Sequence, residues 1–177
     1  MAVPAAGLPA GGVGGSRRQA RERALSLLYE AESKDVAPAA VLAALPVEAA
    51  PFAADIVRGV GDHGAEIDKW IVDYARDWTI DRMPALDRAL LRMGIFELLH
   101  RPDVPTGAVI SEAVELAQRY STDESSRFVN GMLARIAEAV RGPGSAGEAV
   151  DAEAVGAEPA EDDEVAAGEM VEYRFDE

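Results

Sequence analysis

The chain has 177 residues, of which 49% are hydrophobic and only 6% aromatic, and it carries a formal net charge of −15. It has no cysteine, which excludes a disulfide scaffold, a cysteine nucleophile and a thiolate metal site, and fits a reducing cytoplasm. No apolar run approaches the roughly eighteen residues of a membrane span.

Residues 1–15 are rich in Gly, Ala and Pro and lack a basic n-region. They read as a flexible leader rather than a signal peptide. Order is expected to begin at Ser16, a good N-cap, followed by an apolar stripe of Ala20, Ala24, Leu27, Leu28 and Ala31. A short helix is expected over 38–45, with Pro38 in its first turn. A longer helical stretch over 48–74 carries Phe52, Ile56, Val60, Ile67, Trp70 and Ile71, and Gly59, Gly61 and Gly64 weaken it locally. The segment 84–100 has a broad apolar face that includes Leu86, Leu90, Met93 and Leu98. "RPDVP" breaks the pattern, and Val109, Ala113, Leu116 and Ala117 mark the next helix over 105–120. Ser121 with Glu124 fits a capping box for the last helix, over 122–141. Asn130–Gly131 lies inside that strong 3.6-residue pattern, so Gly131 predicts a close helix–helix approach. The fold class is therefore all-α, with six or seven helices and short loops.

The charge is uneven. Residues 142–177 hold twelve acids and one base, so most of the acidity belongs to a tail whose composition predicts disorder. The domain proper spans 16–141 and is nearly balanced, so an acidic pI does not exclude nucleic acid as a partner.

Signals for catalysis are poor. His63 and His100 have no partner motif and read as surface or helix-end residues. Asp73, Asp77 and Asp81 read as a solvated face. "GGVGG" (11–15) follows no strand and precedes no Gly-Lys-Ser/Thr, so it is no phosphate loop. No cofactor or metal is expected.

"RRQARER" (17–23) is different, because four arginines crowd the start of a helix, where cations oppose the macrodipole. On a helix Arg18, Arg21 and Leu25 share a strip beside the apolar stripe, and Arg17 extends it, while Arg23 points elsewhere. The planar guanidinium fork suits phosphates and base edges. A second polar cluster, Ser125, Ser126, Arg127 and Asn130, falls in the first turns of the last helix, where free backbone N–H groups can meet phosphates.

Five stretches in order, "RRQARERALSLLY" (17–29), "IVRGVGDHGAEID" (56–68), "LDRALLRMGIFELL" (86–99), "VPTGAVISEAVELAQRY" (104–120) and "SSRFVNGML" (125–133), resemble the NusB family of bacterial antitermination factors. The resemblance implies two roughly perpendicular three-helix subdomains and RNA binding without catalysis. It also implies pairing with ribosomal protein NusE, binding to the boxA element of nascent ribosomal RNA, and entry into an RNA polymerase antitermination complex. Carried onto this chain, the RNA contacts are Arg17, Arg18 and Arg21, with Ser125, Arg127 and Asn130 in the second cluster. Gln19 stands where another arginine is common. Tyr29, Asp87, Arg88 and Glu97 are expected at the NusE face.

Two rivals have distinct signatures. A NusB-like domain also heads ribosomal RNA cytosine methyltransferases, which need a long methyl-donor domain and cysteines. A protein-binding helical scaffold would bind no RNA. Family members differ in oligomeric state, and a homodimer that buries the arginine strip would be an inactive store. Four phosphate-neutralising arginines predict a log–log salt slope of about −3. Arg18→Ala with Arg21→Ala should weaken RNA binding without changing the helical content. The acidic tail could fold back on the arginine strip and compete with RNA at low salt.

Overall fold

The computed structural model describes residues 16–75 and 79–146. The predicted leader, Asp77 and the tail beyond residue 146 lie outside the described residues. Among those residues the order is α1 (Arg17–Ser33), α2 (Pro38–Ala43), α3 (Pro51–Asp62), α4 (Gly64–Tyr74), a 3-10 turn (Ile80–Arg82), α5 (Ala85–His100), α6 (Thr106–Tyr120) and α7 (Asp123–Arg141). All are helical, as the periodicity requires. The long 48–74 stretch is split at His63, which ends α3 and precedes α4.

Helices α1, α2 and α3 pack on one another, and α5, α6 and α7 do the same. Helix α5 joins the two sets by also packing on α1, α3 and α4. That position explains its composition. Leu90, Leu91, Met93, Ile95 and Leu98 face several directions around α5, and all are buried. A helix that is apolar all round must be enclosed. Leu27, Ile56, Ile71, Ile110, Leu133 and Ile136 bring the other helices onto it.

Polar ties fix the ends. Arg141, the last residue of α7, donates to the backbone carbonyls of Glu97, Leu98 and Arg101 at the end of α5, and to that of Val104. The Leu98 carbonyl is one that a helix terminus leaves unpaired, whereas those of Glu97 and Arg101 also accept from the Arg101 and Val104 amides. Burial holds the Arg141 guanidinium below its usual range. Gly142, with φ 97°, then turns the chain out of α7 in a conformation that favours glycine.

Two sequence expectations need correction. The N-cap of α7 is Thr122, whose hydroxyl accepts from the Ser125 amide, and not Ser121. Gly131 does not mark a close approach, because it is exposed and a Cβ there would meet nothing within 4 Å. The close approaches are at Gly59, against Phe96, and Gly94, against Leu133. Gly131→Ala should therefore stabilise the domain by about 0.5–1 kcal/mol through helix propensity alone. Urea unfolding of the two proteins checks this, and a loss of stability would contradict the open environment.

Candidate nucleic-acid interface

Helix α1 starts on a complete capping box. The Ser16 hydroxyl accepts from the Gln19 amide, and the Gln19 side chain accepts from the Ser16 amide at 3.0 Å. Gln19 thus gives its side chain to the cap, at a position where an arginine could not play that part. No acid stands in the first turn, so the arginines meet the positive end of the helix without local compensation.

Compensation comes from other elements. Arg18 reaches α6, with guanidinium nitrogens 3.1 Å from Glu112 and 2.9 Å from Glu115. The Glu112 hydrogen bond first, then the two negative charges, holds Arg18 above its ordinary range. Arg17 lies 3.5 Å from Asp103 in the loop after α5. Both arginine side chains stay half exposed, at 55% and 50%. Exposed pairs of this kind are worth little and exchange readily with other anions.

Arg21 is elsewhere. The sequence placed it on the accessible strip, but its side chain is only 4% exposed and bonds Glu97 through two nitrogens, at 2.8 and 2.7 Å. One turn beyond Arg18, α1 already lies against α5, so Arg21 points inward. Glu97, expected at a partner face, is the buried other half of this pair.

The structure supplies a component that the sequence reading missed. The Phe52 ring, in the first turn of α3, has three guanidiniums over it: Arg17 at 5.3 Å, Arg21 at 5.2 Å and Arg101 at 4.9 Å from the centroid. Arg101 is held by Asp55 and by Asp103, the latter at 2.9 Å. Its hydrogen bond draws the Asp103 carboxyl below the usual range. Arg101 was legible only as part of a helix breaker, and Phe52 only as core. A row of arginines therefore runs from the half-exposed Arg18 and Arg17 to the mostly buried Arg101, each paired with carboxylates, with the Phe52 ring under Arg17 and Arg101.

The second cluster separates in the same way. Ser125 is buried, and its hydroxyl donates to Asp87 at 2.8 Å. Ser121 donates to the other carboxylate oxygen at 2.9 Å. Asp87, expected at a partner surface, is thus the buried acceptor that ties the start of α7 to the first turn of α5. Arg127 is exposed, and Asn130 is half-buried. Arg88 is also internal, donating to Glu32 and to the carbonyls of Ile80 and Met83. Of the four residues expected to meet a protein partner, only Tyr29 is well exposed, at 45%. It lines an apolar groove with Leu25, Pro84, Leu86 and Tyr120.

The geometry can bind an anionic backbone, and nothing at the arginine surface pairs a nucleophile with a base. The model of the NusB family matches residues 18–138. Transcription antitermination protein NusB of Kineococcus radiotolerans is 51% identical over 127 residues, covering 70% of this chain and 93% of that protein. NusB of Symbiobacterium thermophilum is 42% identical over 149 residues, covering 76% and 97%. Among solved structures, T. maritima NusB superposes with a TM-score of 0.65 at 33% identity, covering 70% of this chain and 92% of that one. A chain from the crystal structure of antitermination factors NusB and NusE in complex with dsRNA gives 0.61 at 28%, covering 70% and 96%.

Proposed function

This chain belongs to the NusB family, and from that membership we propose a non-catalytic RNA-binding antitermination factor whose working surface is the Arg17–Arg18–Arg101 face. The observation that carries the reading is the pair of half-exposed arginines at the start of α1, paired with Asp103, Glu115 and the half-buried Glu112. An incoming RNA backbone replaces those carboxylates, and the guanidiniums keep their charge in either state. Phe52 beneath gives a base or sugar an apolar seat beside Arg17 and Arg101. Arg127, exposed near the start of α7, is a second RNA contact that the family resemblance implies.

The finer reading follows what the family resemblance implies. The RNA is the boxA element of nascent ribosomal RNA, NusE is the protein partner, and the pair joins the antitermination complex on RNA polymerase. The Tyr29 groove is the NusE seat, because it is apolar, exposed and separate from the arginine face. Asp87 supports that groove from below by fixing Ser121, which lines it.

A titration of boxA RNA, with and without NusE, tests this. Arg17→Ala with Arg18→Ala should weaken binding about tenfold or more, since hydrogen bonds to charged groups are worth about 1.5–3 kcal/mol each. With Arg21 internal and Arg23 pointing elsewhere, the two remaining α1 cations contribute about −1.4 to the salt slope of a single strand, not −3. The double variant should lose that increment. Glu112→Gln with Glu115→Gln should tighten binding about two- to fivefold by freeing Arg18. Equal affinity in all three proteins at matched salt would overturn the assignment, and binding of NusE alone would favour a protein scaffold.

A further inference from the structure

His63, Glu66 and His100 come together from three places in the chain. His63 sits at the corner between α3 and α4, Glu66 in the first turn of α4, and His100 at the last position of α5. The His63 Nδ1 lies 3.4 Å from Glu66 Oε2, and the His100 Nε2 lies 3.1 Å from the same oxygen. The three ligand atoms all lie within 4.8 Å of one another. The two imidazoles stack with centroids 3.9 Å apart, and Phe96 backs His100 at 5.5 Å. None of these groups takes part in the arginine face.

We propose that this trio binds a divalent transition-metal ion of the zinc class and clamps the α3–α4 corner to the end of α5. The spacing suits the chemistry. Zinc binds imidazole and carboxylate at about 2.0–2.2 Å in tetrahedral geometry, which puts ligand atoms about 3.3–3.5 Å apart. Both nitrogens already lie close to one carboxylate oxygen, but the ring planes are only 26° apart and must open for both lone pairs to point at one ion. Imidazole donors favour Zn²⁺, Ni²⁺ and Co²⁺ over Mg²⁺ and Ca²⁺, which demand oxygen ligands. His63 and Glu66 are 42% and 49% exposed, so an ion can enter from solvent and keep water as its remaining ligand. Phe96 backs the His100 ring and limits its swing, so the opening falls mainly to the more exposed His63 ring.

The full-length chain without any histidine tag allows a direct test, because it contains only two histidines. Zn²⁺ titration followed by proton NMR should move the ring resonances of both histidines together and saturate at one equivalent. Calorimetry should give the same stoichiometry, and Tm should rise with added Zn²⁺ but not with equal Mg²⁺. Glu66→Gln, and separately His63→Ala or His100→Ala, should weaken binding about tenfold or more, at least the loss seen when a ligand's supporting partner is removed. Three results would overturn the proposal: no saturable shift of the parent's histidines, movement of only one ring, or undiminished binding in the Glu66→Gln variant. Undiminished binding would assign the ion to other carboxylates.

Discussion

Glu97→Ala is expected to lower the unfolding free energy by about 3–5 kcal/mol, the cost of leaving one member of a buried ion pair without its partner. Arg21 and Glu97 are 4% and 1% exposed and share two hydrogen bonds. Without Glu97 the guanidinium would keep its charge while buried beside the Phe52 ring, which it shares with the Arg17 and Arg101 guanidiniums. A domain whose whole stability is about 5–15 kcal/mol would lose a large share of it. Arg21→Ala should cost less, because a buried carboxylate can be neutralised by a proton and a guanidinium cannot. Replacing both, as Arg21→Met with Glu97→Leu, should recover most of the loss. Urea unfolding followed by far-UV circular dichroism separates the three variants. A cost below about 1 kcal/mol for Glu97→Ala would mean that water reaches the pair. The result also bears on RNA work, because weak binding by an Arg21 variant would report a damaged domain rather than a lost RNA contact.

Arg21 also shows where sequence reasoning stops. The apolar period of α1 was readable, and Ala20, Ala24, Leu27, Leu28 and Ala31 are all buried as the spacing requires. The same spacing put Arg21 in line with Arg18. Its burial depends on Glu97, 76 positions away, and no local pattern announces such a pair. Ser125 and Asp87 repeat the lesson across 38 positions. Each polar residue looked like surface until its partner arrived from another helix. The histidines failed differently: neither has a motif nearby, yet the meeting of the α3–α4 corner with the end of α5 puts their rings in contact. The α7 cap was ambiguous for a local reason, since Ser121 and Thr122 can both cap. At the proposed interface, the exposure of Arg17 and Arg18 was legible because it follows from the apolar period of their own helix. Phe52 and Arg101 were not, because their role comes from where α3 and the α5–α6 loop end up.

Glycine shows the same limit in energetic form, and Gly59→Ala is the sharpest case. A Cβ at Gly59 would lie 2.0 and 2.1 Å from two carbons of the Phe96 ring, far inside any contact that real side chains make. The ring has little room to retreat. It is 4% exposed, and His100 stacks on it at 5.5 Å. Helix α3 must therefore move off α5. Overpacking of this kind costs about 1–3 kcal/mol and occasionally more. The better helix propensity of alanine returns up to about 1 kcal/mol. With a clash this severe at the upper end of the overpacking range, a net loss of about 2 kcal/mol is expected. Gly94→Ala should be milder, because its Cβ would meet Leu133 methyl groups at 2.8 and 2.9 Å and a leucine side chain can turn. Phe96→Leu should rescue Gly59→Ala, and a double-mutant cycle in urea would measure the coupling. The damage should extend beyond stability. Phe52 opens α3, and Arg101 follows α5, so the α3–α5 distance sets how the ring sits under the guanidiniums. Wild-type stability in Gly59→Ala would show that α3 and α5 do not meet as described. Loss of stability with full RNA affinity would detach the Phe52 seat from RNA binding and leave Arg17 and Arg18 to act alone.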